Sequence, residues 1–395
     1  MRFIVSALAL ALTGVAAPAL AEDCQDGEVV IKFSHVVAET GHPKGEAAAA
    51  LADRVNSEMD GSACMQVFPS SQLYDDDKVM EALLLGDVQL ASPSLSKFGA
   101  YTRKLGVFDL PFLFNDVAAM ERFLATPEGA SLLTSMEDYG YVGLGYIYNG
   151  MKHFSADEPL MTPTDAAGKK FRIQTSDVAA AMIDALGANA QKLAFAEVYG
   201  ALQQGVVDGQ ENTYTNIYTQ KFFEVQDGIT ETNHQMLSYL TVTTQDFLDS
   251  LDDATREQFL TIYNEVMAEM NAKANQLNAE AKEKIVAAGG TIRSLTLEER
   301  QAWVDAMKPV WGQFEEGRDR QGHHRRGRAR QQRRLLRRAP AMAAAAAMAP
   351  RRQSAPPRKP HLSRLSLLDE RRHWVTRTRR RDARDGVGRH GARCV

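Results

Sequence analysis

The chain has 395 residues and a formal net charge of -4, a total that hides two parts of opposite charge. Residues 1–317 carry 22 basic and 45 acidic side chains (22 − 45 = -23), and residues 318–395 carry 24 basic and 5 acidic ones (24 − 5 = +19). The 44% content of hydrophobic residues excludes a disordered chain, and three cysteines exclude a disulfide-rich scaffold.

The first 21 residues have the pattern of a cleaved export signal. Arg2 supplies the positive charge, residues 3–18 are apolar, and Ala19-Leu20-Ala21 is a small-x-small cleavage pattern. A membrane anchor is disfavoured because the apolar run is short and two acidic residues follow it. No later apolar run is long enough to cross a bilayer. We therefore expect a mature chain that begins near Glu22 and is exported to an oxidising compartment.

Two of the cysteines precede predicted strands. Cys24 comes before a strand at Val29–Phe33, and Cys64 comes directly before a strand at Met65–Phe68. If these strands are adjacent and parallel, both sulfurs lie at one edge of the sheet. An oxidising compartment then favours a Cys24–Cys64 disulfide over the alternative of two free thiols.

Strands and helices alternate along the chain, which is typical of an α/β fold with mostly parallel sheets. Further strands are predicted at Val88–Ala91, Val142–Ile147, Phe171–Gln174 and around Thr241–Thr244. Helices are predicted from Pro43 to Gly61, from Asp75 to Gly86, over Asp177–Leu186 and over Ala196–Gln204. The acidic triplet Asp75-Asp76-Asp77 is interpreted as a solvated helix start that the helix dipole favours, in preference to a metal site.

A long helix is predicted over residues 253–288, because these 36 residues contain neither proline nor glycine. At 1.5 Å per residue it would be about 54 Å long, which exceeds the width of a small domain. We therefore expect it to run along two lobes and join them. The pattern Thr296-x-x-Glu299 predicts a capped last helix after it.

The Arg-rich segment 318–395 has no apolar periodicity. It is either a basic arm for nucleic acid or anionic lipid, or the product of a shifted reading frame or a fusion. The second interpretation is favoured because interleaved aromatic residues are lacking and the protein is exported. We expect the fold to end near Gly317 without this segment.

Signatures of catalysis and of metal binding are missing from the sequence. The G-x-S-x-G, H-E-x-x-H and phosphate-loop patterns do not occur. His35 and His42 lie seven residues apart across a strand-to-loop junction, which is poor spacing for a metal. The sequence therefore predicts neither an enzyme nor a cofactor or metal site.

Cationic residues at the ends of predicted elements point instead to an anionic ligand. In Lys170–Gln174, Phe171 and Ile173 would face the core, so Arg172 and Gln174 would face the opposite side. The planar fork of arginine suits a carboxylate. Lys44 lies in the first turn of its helix, where a cation is unfavourable unless an anion binds there; a solvated lysine is the alternative.

Several motifs follow one another in a familiar order: Phe33-Ser34-His35-Val36-Val37, His42-Pro43-Lys44-Gly45, Tyr74 to Leu85, Ala91-Ser92-Pro93-Ser94-Leu95, Phe108-Asp109-Leu110-Pro111-Phe112, Phe171-Arg172-Ile173-Gln174, Phe195-Ala196-Glu197-Val198-Tyr199, Gly205 to Asn212, and Asn233-His234. The chain resembles the solute-binding proteins of tripartite ATP-independent periplasmic (TRAP) transporters, most closely the dicarboxylate-binding branch. The resemblance covers nearly all of residues 28–317. It departs at Thr213, where the family usually has proline.

This resemblance implies a two-lobed periplasmic binding protein of the class II type, with mostly parallel sheets, hinge strands and one long helix across both lobes. Residues 22–147 would form lobe I, to which residues 238–277 return. Residues 148–237 would form lobe II, together with residues 278–317.

The resemblance also implies a function. We expect a periplasmic receptor, without enzymatic activity or cofactor, that binds a four-carbon dicarboxylate and delivers it to TRAP permease subunits. A monocarboxylate, a 2-oxo acid or a sugar acid is the alternative ligand, and a hydrolase of acidic metabolites is the alternative class. We expect a monomer that does not bind nucleic acid.

The same resemblance assigns roles to site residues. Arg172 would grip the ligand carboxylate and Asn212 would fix its orientation. Four further residues would face the cleft: Lys44, Ser94, Asn149 and His234. Three others would form its wall: His35, Gln174 and Phe195. Two alternatives stay open, namely that Asn149 before Gly150 forms only a turn and that His234 is structural.

Overall fold

A computed structural model of the chain describes residues 24–59 and 61–315. The predicted export signal and the Arg-rich segment lie outside the described residues. Nine strands occur within the described ranges: Val29–Ser34 (β1), Ala63–Phe68 (β2), Leu90–Ala91 (β3), Tyr141–Ala156 (β4), Lys170–Ile173 (β5), Asn189–Lys192 (β6), Gly209–Asn212 (β7), Gly228–Thr244 (β8) and Ile292–Arg293 (β9).

The same ranges contain eleven α-helices. They are Pro43–Glu58 (α1), Val79–Leu85 (α2), Val117–Leu124 (α3), Pro127–Ala130 (α4), Asp177–Ala185 (α5), Val198–Gln203 (α6), Tyr214–Thr219 (α7), Gln245–Ser250 (α8), Asp253–Ala287 (α9), Leu297–Met307 (α10) and Trp311–Glu315 (α11). The predicted capping box at Thr296 and Glu299 begins α10. None of the described helices is both long and apolar enough to cross a membrane.

The strands form one mixed sheet in the order β2-β1-β3-β8-β4-β7-β5-β6, and β9 pairs with β8. Five of its pairings are parallel, namely β1–β2, β1–β3, β5–β6, β5–β7 and β8–β9, so the expected predominance of parallel strands is confirmed. At one edge β1 and β2 are adjacent, and Cys24 and Cys64 form a disulfide there, with their Cα atoms 5.6 Å apart.

The long antiparallel pair of β4 and β8 forms the middle of the sheet. The predicted strands Val142–Ile147 and Thr241–Thr244 are correct in place but far too short, because β4 has 16 residues and β8 has 17. Buried polar residues continue both strands and interrupt the apolar pattern that marks a strand in sequence. Irregular pairing at Tyr148/Gly150 lies inside β4, so the turn predicted as an alternative for Asn149 is wrong.

Helix α9 confirms the long helix predicted from the sequence. Its first half packs Phe259 and Val266 with α1 and with β1 and β2 in one apolar cluster. Its second half contributes Ala281 and Ile285 to another cluster, which includes residues of α6 and α7. One helix thus contributes to two separate parts of the core. The residue boundaries expected for the two lobes remain predictions.

Candidate ligand-binding site

A cavity lies where strands from both halves of the sheet end. Its empty volume is about 370 Å³ when the open solvent at its mouth is included. Three of the predicted site residues line it: Arg172, Gln174 and Phe195. Asp76, Lys97, Asn216 and Tyr239 also line it, and the sequence analysis did not assign these residues to the ligand site.

Arg172 is held rigidly in the wall of this cavity. Its neighbours Phe171 and Ile173 belong to the apolar core, as their alternation predicted, and its own side chain is only 1% exposed. Nε and Nη2 donate hydrogen bonds to the carbonyl oxygen of Leu193 at 3.1 and 3.0 Å, and the guanidinium lies 5.8 Å from the ring centre of Phe195.

The charge of Arg172 is not compensated by an ion pair. Among the described residues no carboxylate lies within 4.0 Å of its guanidinium. Burial lowers the pKa of Arg172 to about 10, although Glu211 and Asp76 oppose that shift from a distance. The group is therefore still a cation at neutral pH, and its charge is available to an anionic ligand.

Lys44 is a second buried cation near the cavity. It is 0% exposed in the first turn of α1, so the solvated lysine considered above is wrong. Its Nζ donates to the carbonyl oxygen of Ser92 at 2.9 Å and lies 3.9 Å from the ring centre of Tyr239, which lines the cavity. Burial lowers the pKa of Lys44 to about 8, and Asp76 opposes the shift.

Ser94 and His234 belong to a buried polar network behind the wall. Ser94 Oγ donates to Gln174 Oε1 at 3.1 Å, and Lys152 Nζ lies 3.2 Å from the same oxygen. Lys152 also pairs with Glu211 at 2.9 Å, and His234 Nε2 lies 3.6 Å from that carboxylate. Burial alone would raise the pKa of Glu211, but Lys152 and His234 hold it below its ordinary value.

His35 is buried beside two residues of the cavity wall, Val36 and Val37. Neither of its ring nitrogens has a hydrogen-bond partner among the described residues. Burial and the nearby charge of Lys44 lower the pKa of His35 to about 3, so the ring is neutral at neutral pH. His35 thus lies next to the cavity wall that the resemblance implied, but its side chain does not line the cavity.

Asn149 and Asn212 lie in a second set of hydrogen bonds. Asn149 Oδ1 accepts from Thr215 Oγ1 at 2.8 Å and from Asn278 Nδ2 at 3.0 Å, so this side chain joins β4, α7 and α9. Asn212 Oδ1 accepts from the side chain of Asn216. Neither Asn149 nor Asn212 is on the cavity surface, although Asn216 is.

The acidic triplet corrects one sequence-based interpretation. Asp75, Asp76 and Asp77 all line the cavity, and Asp76 is only 8% exposed, so a fully solvated helix start is wrong. Helix α2 begins later, at Val79, and Asp75 Oδ1 accepts from the backbone nitrogens of Asp77 and Lys78 in the turn before it. The sequence predicts that these residues begin a turn, but it does not indicate that the turn faces the cavity.

Comparison with known proteins identifies the family. The family model for the bacterial extracellular solute-binding protein, family 7, matches residues 33–317. The chain belongs to family 7 of the bacterial extracellular solute-binding proteins. Among relatives of this family 7 protein, the C4-dicarboxylate-binding periplasmic protein DctP of Vibrio cholerae is 55% identical over 312 residues, which is 79% of this chain and 93% of that protein.

Two solved structures are similar to this family 7 protein. A TRAP periplasmic solute-binding protein of Shewanella oneidensis, with bound succinate, is 49% identical with a TM-score of 0.72, over 73% of this chain and 95% of that chain. The protein of Pseudomonas aeruginosa with bound L-malate is 44% identical with a TM-score of 0.70, over 72% of this chain and 99% of that chain. These neighbours confirm the predicted two-lobed α/β fold.

The described residues contain one group of three possible metal-ligand atoms, from Cys24, Glu28 and Cys64. Both of its sulfurs form the disulfide, so the group offers no thiolate ligand. The wall of the cavity in this family 7 protein instead combines the cations Arg172 and Lys97 with amide and aromatic groups and with the acidic triplet. That arrangement can hold an organic anion in a fixed orientation.

Proposed function

We propose that this chain is a periplasmic receptor that binds a four-carbon dicarboxylate and passes it to the membrane permease subunits of a TRAP transporter. In this proposal the receptor performs no chemical step. The dicarboxylate named for its DctP relative and the succinate and L-malate bound in similar structures support this choice of ligand. The acidic mature surface, -24 over residues 22–317 from 21 basic and 45 acidic side chains, fits an exported soluble receptor.

The observation that carries the proposal is the pair of buried cations, Arg172 and Lys44. Both are almost wholly buried, and neither forms an ion pair with a described residue. A buried charge without a counter-ion costs several kcal/mol. A dianion in the neighbouring cavity would offset that cost for both groups, whereas a monoanion would offset it for one. The pair therefore favours a dicarboxylate over a monocarboxylate.

We expect ligand binding to close the two lobes around a hinge. In the structure, contacts already join elements from the two sides of the cavity: Ser94 Oγ bonds Gln174, and Lys97 Nζ bonds Thr175 Oγ1 at 3.1 Å. A ligand that bridges both sides would add to these contacts and so stabilise the closed form.

Calorimetry with succinate, L-malate and butyrate tests the proposal. We expect the wild type to bind the two dicarboxylates and to bind butyrate much more weakly. Arg172→Ala leaves a ligand carboxylate without its partner, so affinity for succinate should fall by roughly two to three decades. Arg172→Lys should lose nearly as much, because an ammonium group cannot form two parallel hydrogen bonds.

Arg54→Ala is the matched control, because this arginine pairs with Glu58 on the surface away from the cavity. It should bind succinate like the wild type. Wild-type affinity in Arg172→Ala would contradict the proposed site. Chemical conversion of the bound acid would support the hydrolase alternative instead.

A further inference from the structure

Three buried side chains form a row of hydrogen bonds beside the cavity. His42 caps the N-terminus of α1, where its Nδ1 accepts from the backbone nitrogen of Lys44 at 3.0 Å. His42 Nε2 lies 2.6 Å from Asn216 Oδ1, and Asn216 Nδ2 donates to Asn212 Oδ1. The three side chains come from the N-cap of α1, from α7 and from β7, and Asn216 lines the cavity.

The direction of each bond in this row is determined by chemistry. A backbone N–H can only donate, so His42 Nδ1 must carry a lone pair, and the neutral ring has its proton on Nε2. That proton is donated to Asn216 Oδ1, which turns the amino group of Asn216 toward Asn212. Burial, and then the charge of Lys44, lower the pKa of His42 well below its ordinary value, so the ring keeps this neutral form.

Other polar atoms near His42 do not reverse this direction. Asn149 Nδ2 and Tyr239 Oη each lie 3.2 Å from His42 Nε2, farther away than Asn216 Oδ1. Asn149 Nδ2 has a partner at 3.1 Å in Tyr239 Oη. The shortest contact of the ring therefore remains its bond to Asn216.

The row leaves Asn212 with one side of its carboxamide occupied and the other side available. Its Oδ1 accepts both from Asn216 and from the backbone nitrogen of Thr213, at 3.2 Å for the latter. Its Nδ2 forms no hydrogen bond with any described residue. The strand of Asn212, β7, pairs directly with β5, the strand of Arg172.

We propose that His42 and Asn216 are positioning residues. Asn212 lies behind Asn216 and not on the cavity surface, and the two residues hold its carboxamide with both N–H groups free to reach the carboxylate that Arg172 binds when the lobes close around it. This inference rests on the proposed function. A carboxylate can only accept hydrogen bonds, so an Asn212 side chain turned the other way would present an oxygen to it and weaken binding.

A double-mutant cycle measured by calorimetry with succinate tests this proposal. Asn216→Leu removes the amide at similar size, and His42→Asn retains a capping side chain for α1 but is too short to reach Asn216. Each variant should lower the affinity for succinate about tenfold, which is the contribution expected of one hydrogen bond to a charged group. In an Asn212→Ala background the same substitutions should lower the affinity for succinate by less than about twofold, because the carboxamide that they position is gone.

A residue with a merely structural role, or one that touches the ligand itself, would lower affinity equally in both backgrounds. Thr219→Val is the control on α7, since it removes only the bond from Thr219 to the carbonyl oxygen of Thr215. It should leave affinity unchanged. If Asn216→Leu does not melt cooperatively, the His42→Asn cycle decides alone.

Three outcomes would overturn the inference: equal losses in both backgrounds, wild-type affinity in both single variants, or wild-type affinity in Asn212→Ala. Failure of the proposed function is a separate result, because then the wild type itself would not bind succinate.

Discussion

Lys44 carries its charge inside the protein, where burial lowers its pKa to about 8 from an ordinary value near 10.5. Between these pH values the unfolded chain binds more protons than the folded one, so the free energy of unfolding rises with pH. Below about pH 8 both states are protonated, and the folded state bears the full cost of the buried charge. That cost is about 3 kcal/mol at most.

We therefore expect Lys44→Met to stabilise the ligand-free protein at pH 7 and to remove the rise between about pH 8 and 10.5. Urea unfolding at several pH values measures both effects. Lys78→Met is the control, because the Lys78 side chain is 76% exposed, and it should change the free energy of unfolding by less than about 0.5 kcal/mol. An unchanged pH dependence in Lys44→Met would show that Lys44 is not the group responsible.

At the scale of single residues, the sequence predicted only part of the site. Arg172 could be found because its alternation with Phe171 and Ile173 places it on the face opposite the core. His42 and Asn216 were missed. They are 174 residues apart in the chain, and no local pattern indicates that they meet.

At the scale of elements, the disulfide joins the segment before β1 to the first residues of β2. Reducing it should lower the free energy of unfolding by roughly 4 kcal/mol, because it closes a loop between residues 40 apart and so restricts the unfolded chain. Affinity for succinate should persist, since neither cysteine lines the cavity.

Thermal unfolding and calorimetry with and without reductant check this prediction, and a Cys24→Ser, Cys64→Ser double variant serves as the matched control. The double variant should melt like the reduced wild type and should not respond to reductant. An equal melting temperature for reduced and oxidised protein would contradict the stabilising role.

Helix α9 supplies hydrogen bonds to an open edge of strand β4. Asn271 Oδ1 accepts from the backbone nitrogen of Tyr148 and Asn271 Nδ2 donates to the carbonyl oxygen of Tyr146, both at 2.8 Å. These groups point away from β8, and the pairing of β4 with β7 begins only at His153. The asparagine thus takes the place of a neighbouring strand.

Asn271→Ala should lower the free energy of unfolding by about 1–3 kcal/mol, because it leaves two backbone groups of β4 without partners. Asn264→Ala, at an exposed position on the same helix, should change it by less than about 0.5 kcal/mol. Denaturant unfolding of the two variants measures the difference. Equal stability of both would show that solvent satisfies the edge of β4 as well as Asn271 does.

The sequence predicted six of the nine described strands, but not the length of the central pair or the existence of β6, β7 and β9. Strand β7 reads Gly-Gln-Glu-Asn, and all four residues are buried. Some of its polar side chains pair with residues of the neighbouring strand β4: Lys152 pairs with Glu211, and Gln210 Nε2 donates to Ser155 Oγ. An apolar pattern cannot reveal a strand whose interior is polar.

At the scale of the whole molecule, the match to the family model ends at residue 317, just before the Arg-rich segment. Deleting residues 318–395 should therefore leave the melting temperature and the affinity for succinate unchanged. Circular dichroism and calorimetry on the truncated and full chains check this expectation, and loss of a cooperative melt on truncation would contradict it.

The sequence by itself determined the α/β class, the long helix α9 and the position of Arg172, because these depend on local periodicity and capping. The tertiary structure alone decided which polar groups are buried together: the acidic triplet in the cavity wall, Lys44 over Tyr239, and the row from His42 to Asn212. Such groups become partners only when distant segments pack, since hydrogen bonds and ion pairs act over a few ångströms and leave no periodic trace along the chain.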